Sequence, residues 1–140
     1  MYATRTDRVV DNELEACLQE KSRTQTDYEL LRARVEARLE RAEHGGLGVV
    51  DQPAPDPVVT QPCLWEMRWS FGNGRELRLY HAEPAQVPDL LLAAKYHWKD
   101  YKGLSRAEKE MRQNGEMAEA AARFRASTCY TTTDDDPHPN

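Results

Sequence analysis

The first third of the chain places apolar residues with the period of an α-helix. Leu14, Cys17 and Leu18 have the spacing i, i+3, i+4, which puts them on one face of a helix. Asp11 precedes them and is a residue type that caps helix N-termini. These positions predict a short amphipathic helix over residues 11–21.

A second and longer helical pattern follows a polar turn. Thr26 is placed to cap it, and Gly45 and Gly46 are suited to end it in the left-handed conformation. Its apolar stripe consists of Tyr28, Leu31, Val35, Leu39 and Ala42. Because only a short turn separates the two patterns, they predict a pair of antiparallel helices.

The middle of the chain changes to the period of a β-strand. Residues 51–57 are a proline-rich connector that cannot be helical. Two β-rich runs, residues 64–71 and 75–81, then flank Asn73-Gly74, a dipeptide typical of tight hairpins. In the simplest register, alternation groups four polar side chains on one face of the hairpin: Glu66, Arg68, Arg78 and Tyr80. Without further information, the two arginines beside Glu66 are interpreted as a cross-strand ion pair.

The last third contains one more strand candidate and a final helix. Residues 90–94 are a continuous apolar run, which predicts a strand covered on both faces, with a short buried helix as the alternative. Residues 95–102, which read KYHWKDYK, are the densest mixture of basic and aromatic residues in the chain. Ser105 and Glu108 form a capping box for a last helical stretch, which the Asn114-Gly115 step is expected to break in two.

Length and charge limit what the protein can be. The 140 residues predict one domain over residues 1–127 and an acidic disordered tail over residues 128–140. No apolar run approaches the roughly 18 residues of a spanning helix, no signal peptide is visible, and three widely spaced cysteines suit a reducing cytoplasm. The net charge of −5 argues against non-specific coating of nucleic acid, although residues 62–130 carry a net charge of +2 and leave room for a local basic site.

The motifs of several large enzyme classes are absent. There is no phosphate-binding glycine loop, zinc-protease helix motif or nucleophile elbow. Cys63 and His81 can meet across strands, but two ligands are too few for a metal site, so no metal and no cofactor is expected. Residues 95–102 have two interpretations: an RNA-facing edge of lysines and stacking rings, or a strand end whose Trp98 fills the core.

The order of these pieces resembles the RelE/HigB family of type II toxins. Members commonly have a helix ending in Gly, an L-W-E-L-R strand, an R-hydrophobic-aromatic strand, an apolar strand ending in lysines, and a C-terminal helix rich in Ala and Arg. The corresponding pieces are Gly45-Gly46, Leu64-Trp65-Glu66-Met67-Arg68, Arg78-Leu79-Tyr80, residues 90–95 and residues 118–125. The resemblance covers about residues 8–126.

The resemblance implies an α+β fold, with two N-terminal helices packed on a small curved, mostly antiparallel sheet and a C-terminal helix. It also implies a metal-independent ribonuclease that cuts mRNA in the ribosomal A site, where the 2′-hydroxyl attacks the adjacent phosphate and leaves a 2′,3′-cyclic phosphate. The implied catalytic residues are Arg68 and Arg78 as phosphate ligands, Lys95, and His97 as general acid or base. The implied RNA-binding residues are Tyr80, Tyr96, Lys99, Tyr101 and Lys102.

The partners implied by the resemblance are a cognate antitoxin protein, the ribosome and mRNA, with no membrane, and the expected location is the cytoplasm. One alternative is a catalytically inactive relative that serves as a protein-binding module, such as a phage or mobile-element accessory protein anchored by Trp98 or Tyr101. Another is a ParE-like gyrase inhibitor, which would break DNA and leave mRNA intact. Arg78→Ala is expected to abolish growth arrest by a toxin and to be silent in a binding module.

Overall fold

Five strands form one sheet, and three helices pack against it in the part of the chain that the structure describes. The computed structural model describes residues 3–5, 8–43, 56–58, 60–61, 63–72, 74–82 and 90–126. In chain order the elements are β1 (Ala3–Arg5), α1 (Arg8–Lys21), α2 (Gln25–Glu43), β2 (Asp56–Pro57), β3 (Leu64–Ser70), β4 (Glu76–Ala82), β5 (Leu90–Trp98) and α3 (Arg106–Ala126).

The strand order across the sheet is β1-β5-β4-β3-β2. β1 runs parallel to β5, and the other three pairings are antiparallel. This arrangement confirms the predicted fold class: α+β, with two N-terminal helices, a mostly antiparallel sheet and a C-terminal helix. Residues 90–94 begin the nine-residue strand β5, so the alternative of a short buried helix is wrong.

The proline-rich connector ends in a strand that its sequence did not predict. Asp56 and Pro57 form β2 at the edge of the sheet, opposite Glu66 and Trp65 of β3. Proline has no N–H group to donate to a ladder, and an edge strand is where a sheet tolerates it. The rest of the connector, residues 51–55, lies outside the described residues.

β3 and β4 form the predicted hairpin in the register that alternation required. Glu66 lies opposite Tyr80, and Arg68 lies opposite Arg78. The four polar residues therefore share one face of the sheet, as predicted. The agreement is informative because a slip of one residue in the register would have sent every side chain of one strand to the other face.

Each face of the sheet carries its own core. The core on the side of α1 and α2 contains Val10, Leu14, Cys17, Leu18, Leu31, Val35, Ala42, Met67, Trp69, Leu77, Leu79, Leu91, Ala93, Tyr96 and Trp98. The core on the side of α3 contains Val58, Leu64, Tyr80, Ala82, Ala94, Met117, Ala120, Ala121 and Phe124. Because Tyr80 belongs to the second core, the polar group of the hairpin lies on the side that α3 covers.

α1 begins earlier than the sequence pattern predicted. It starts at Arg8, so Asp11 lies in its first turn instead of at its cap. An acidic residue in this turn is still favourable, because the N-terminal end of a helix carries partial positive charge. The earlier start adds Val10 to the buried stripe of the helix.

Thr24 caps α2, and the prediction of Thr26 is wrong. The Thr24 hydroxyl accepts a hydrogen bond from the N–H of Asp27 at 3.1 Å, and the Asp27 carboxylate accepts one from the N–H of Arg23 at 3.0 Å. Two threonines stand two positions apart, and the pattern of apolar residues alone did not distinguish them. The predicted helix end at Gly45-Gly46 lies outside the described residues.

α3 is continuous, so the predicted break at Asn114-Gly115 is wrong. Gly115 lies on the exposed side, where a helical glycine costs only about 1 kcal/mol, and buried residues beyond it hold the helix on the sheet. The capping box is confirmed, because Ser105 and Glu108 exchange two hydrogen bonds of 3.2 Å.

The predicted acidic tail lies outside the described residues. Among the helices described, none combines the length and apolar character needed to cross a membrane.

Candidate functional site

Five of the predicted site residues lie together on the sheet face that α3 covers. Arg68 of β3 lies opposite Arg78 of β4, which in turn lies opposite His97 of β5. Lys95 of β5 lies opposite Tyr80 of β4. Three neighbouring strands thus form one contiguous group of these five side chains, which we name the sheet-face cluster.

Two carboxylates of α3 hold Lys95. The Lys95 Nζ is 2.9 Å from Glu116 Oε2 and also pairs with Glu119. Burial by itself would lower the pKa of Lys95, but its hydrogen bonds to Glu119 and Glu116 raise that pKa above its usual value. Lys95 is therefore charged, and it is already engaged by the protein. Sequence reasoning missed both glutamates because they come from an element that meets β5 only in the folded chain.

Two further carboxylates hold Arg78. The Arg78 Nε is 3.1 Å from Glu66 Oε1 and 3.1 Å from Glu76 Oε2, and only 3% of the residue is exposed. Arg68 shares the Glu66 carboxylate, since its Nε lies 3.0 Å from the same oxygen. Its side chain keeps 47% of its surface exposed, so Arg68 reaches solvent where Arg78 does not.

His97 is buried against the ring of Tyr80. The two rings stack with their centroids 5.1 Å apart. The His97 Nδ1 lies 3.2 Å from the carbonyl oxygen of Trp98, which can only accept, so we assign the ring proton to Nδ1 and the free lone pair to Nε2. Burial lowers the pKa of His97 below its usual value and keeps the ring neutral near pH 7. A neutral imidazole with a free lone pair suits a general base better than a general acid.

The other four predicted RNA-binding residues lie outside this cluster. Tyr96 alternates with the cluster members of β5, so its side chain belongs to the opposite core. Tyr101 follows β5 and is 7% exposed. Lys99 and Lys102 are exposed beyond the end of the strand. The tyrosine rings, including that of Tyr80, are therefore packed inside the protein, and the two lysines face solvent.

An open cleft of about 770 Å³ lies at one end of the sheet. The tip of the β3–β4 hairpin, the end of α1, the segment after β5 and the first turns of α3 form it. Its lining residues are Lys21, Ser70, Gly72, Gly74, Arg75, Glu76, Trp98, Lys99, Asp100, Tyr101, Lys102 and Lys109. We name it the lysine cleft, because it contains four of the five lysines in the chain. Sequence reasoning found Lys99 and Lys102 but missed Lys109, which lies on the following helix, and Lys21, which is distant along the chain.

The lysines of the cleft differ in their partners. The Lys21 Nζ lies 3.5 Å from a carboxylate oxygen of Asp100. Within the part of the chain that the structure describes, no carboxylate pairs with Lys99, Lys102 or Lys109. These three ammonium groups are the ones available to an anion from solution.

The described residues include no group of three or more His, Cys, Asp or Glu side chains that could hold a metal ion. His81 lies opposite Trp65 and is fully buried, and Cys63 directly precedes β3.

Comparison of the chain with protein-family models, with curated proteins and with solved structures finds no match.

Proposed function

We propose that this protein is a RelE/HigB-like toxin of a type II toxin–antitoxin system, a cytoplasmic ribonuclease that cuts ribosome-bound mRNA and is silenced by an antitoxin. The observation that carries the proposal is the sheet-face cluster itself. Adjacent strands bring together residues that were predicted as catalytic from three separate segments of the sequence: Arg68, Arg78, Lys95 and His97. Their charges and acid–base character are those that RNA cleavage by an internal hydroxyl requires.

The reaction needs a base for the 2′-hydroxyl, cations for the charge that develops on phosphorus, and a proton for the leaving 5′-oxygen. In this proposal the neutral His97 takes the proton of the 2′-hydroxyl through Nε2. Arg68 and Arg78 bind the non-bridging phosphate oxygens, because guanidinium groups match phosphate geometry. Lys95 adds a third positive charge and donates a proton to the leaving 5′-oxygen, so that the P–O5′ bond breaks as the 2′,3′-cyclic phosphate forms.

Protein carboxylates occupy these cations in the free protein. Glu66 and Glu76 pair with Arg78, and Glu116 and Glu119 pair with Lys95. A phosphate bound at the cluster therefore replaces carboxylate oxygens rather than water. We expect cleavage to require that α3 moves away from β5 when the protein meets its ribosomal target.

The test is purified protein added to a cell-free translation reaction, followed by primer extension on the ribosome-associated mRNA. Arg68→Gln is the informative variant, because Arg68 is half exposed and its loss leaves Glu66 paired with Arg78. Arg78→Ala is unsuitable, since it would leave two carboxylates without their buried partner and so destabilise the fold. Arg41→Gln on the exposed surface of α2 is the matched control.

Ribosome-dependent cuts made by the wild-type protein and by the Arg41→Gln variant, and lost with Arg68→Gln, are the expected result. A near-ultraviolet circular dichroism spectrum equal to that of the wild type will show that the Arg68→Gln variant is folded. Uncut mRNA in the presence of folded wild-type protein contradicts the proposal.

A second candidate is a catalytically inactive protein-binding module. The observation that favours it is the pairing of Arg68, Arg78 and Lys95 with protein carboxylates, which engages all three cations without any ligand. A module of this kind leaves mRNA uncut, and Arg68→Gln does not change its binding to its partner. The translation experiment therefore separates the two candidates.

A further inference from the structure

We propose that the lysine cleft binds the backbone of a short stretch of single-stranded RNA. This inference rests on the proposed function, which supplies RNA as the substrate. The cleft supplies the charge, the shape and the position next to the sheet-face cluster that such a substrate requires.

The charge of the cleft is opposite to that of the protein as a whole. Five cationic and two anionic side chains line it, whereas the chain has a net charge of −5. Two of the cations are already paired, Lys21 with Asp100 and Arg75 with Asp27. Among the described residues no carboxylate pairs with the other three lysines, although Lys99 lies 6.0 Å from the centre of the Tyr101 ring. Their ammonium groups can therefore neutralise phosphates, while the net negative charge of the chain disfavours binding elsewhere.

The shape of the cleft suits an extended backbone more than a flipped base. Trp98 and Tyr101 contribute to its walls but are only 8% and 7% exposed, so little of either ring is open for a base to stack on. Gly72 and Gly74 form part of the rim at the hairpin tip, and no atom lies within 4 Å of the position where a side chain would begin. The backbone of an RNA strand can therefore approach this rim closely, and we expect RNA binding there to depend little on base sequence.

The cleft borders the sheet-face cluster. Glu76 lines the cleft and also pairs with Arg78, so the two sites share this side chain. Lys109 lies on the first turns of α3, the helix whose Glu116 and Glu119 hold Lys95 further along. RNA bound in the cleft thus lies beside the proposed cleavage site and contacts the helix that covers it.

The test is fluorescence anisotropy of a short fluorescein-labelled oligouridylate, titrated with the full chain at several salt concentrations. Three phosphate contacts predict a slope of about −2 in log K against log salt, and Lys99→Gln/Lys102→Gln is expected to reduce its magnitude by about 1.4. The control Arg41→Gln/Arg125→Gln removes the same charge from exposed residues outside the cleft and is expected to leave the slope unchanged.

Equal loss of binding in both double variants overturns the inference, because it shows that only net charge matters. An oligoglutamate peptide that binds at the same lysines as tightly as the oligouridylate overturns it as well. The assay contains no ribosome, so it stands apart from the cleavage test. If oligouridylate binds but mRNA is not cut, RNA binding in the lysine cleft stands and the ribonuclease proposal is wrong. If mRNA is cut and Lys99→Gln/Lys102→Gln does not change the cutting, RNA binding in the cleft is wrong and the ribonuclease proposal stands.

Discussion

Arg68 and Arg78 lie directly opposite each other on neighbouring strands, and one carboxylate oxygen of Glu66 stands between them at 3.0 and 3.1 Å. Like charges in this position repel, and the shared carboxylate offsets that repulsion. Glu66 itself is 5% exposed, which keeps the attraction poorly screened. The same geometry that gathers two guanidinium groups for a phosphate therefore also makes the fold depend on Glu66.

Glu66→Gln is expected to destabilise the protein strongly. The change removes the shared negative charge and leaves two opposed arginines, and breaking a buried pair in this way costs about 3 kcal/mol or more. The free energy of unfolding from urea titration measures the loss. Glu36→Gln is the control, because Glu36 pairs with Arg32 on the exposed face of α2 and its loss costs about 0.5 kcal/mol or less. Equal losses of unfolding free energy in the two variants would mean that the buried pairs of Glu66 stabilise the protein no more than an exposed ion pair does.

The ion pair between Glu13 and Arg123 is expected to couple α1 to α3. Both Glu13 oxygens lie 2.9 Å from Arg123 nitrogens, and the same two side chains bond the N–H of Tyr96 and the carbonyl of Ala94 on β5. A double-mutant cycle with Glu13→Ala and Arg123→Ala is expected to give a coupling energy of about 1–2 kcal/mol.

The exposed pair of Arg106 and Glu110 provides the reference cycle for that measurement. Its charged groups are 3.6 Å apart at side-chain exposures of 94% and 67%. An exposed pair at the i, i+4 spacing contributes about 0.5 kcal/mol or less. A Glu13–Arg123 coupling no larger than this reference would show that the pair does not fasten α3 to the sheet.

Glycine-to-alanine changes at two positions are expected to have opposite effects on stability. Gly74 has a φ of 75°, a left-handed conformation that costs an alanine about 1–2 kcal/mol, so Gly74→Ala destabilises the hairpin. Gly115 is exposed within α3 and has open space around it, so Gly115→Ala stabilises the helix by up to about 1 kcal/mol. Thermal unfolding of the two variants checks both signs, and a shift in the same direction would disprove the assignment of one of them.

Stability is expected to fall as the pH drops below about 6.5, because of His81. Burial and the nearby charge of Arg38 lower the pKa of His81 to about 3. Between pH 6.5 and 3 the unfolded chain binds a proton at this residue and the folded chain does not, so the free energy of unfolding falls by up to about 1.4 kcal/mol per pH unit as the pH drops. The stability is complete above pH 6.5.

The urea concentration at the midpoint of unfolding, measured at a series of pH values from neutral to mildly acidic, reports this dependence. His81→Leu is expected to reduce the slope of stability against pH, since leucine fills the buried position without titrating. Within the described part of the chain the two ring nitrogens of His81 have no hydrogen-bond partner, so the change leaves no donor or acceptor unpaired. A slope identical to that of the wild type would assign the acid sensitivity to other groups, such as His97, whose pKa burial also lowers.

Local patterns predicted the elements well and their ends less well. The Asn-Gly hairpin, the capping box at Ser105 and the apolar strand that begins at Leu90 are confirmed, because each depends on neighbours in the sequence. The cap of α2 and the start of α1 were misplaced, since several residues near each end satisfied the same pattern. β2 was missed because an edge strand of two residues has no periodicity to detect.

By itself, the sequence determined which polar side chains share a face. Side chains alternate along a strand, so the residue spacing decided that Arg68 and Arg78 lie together. Only the tertiary structure decided that α3 covers this face and that Lys95 meets Glu116 and Glu119 there. Only the folded chain, likewise, brought Lys21 to the cleft that Lys99, Lys102 and Lys109 line. The physical reason is that burial and ion pairing depend on how elements pack, and packing joins residues whose separation along the chain carries no periodic signal.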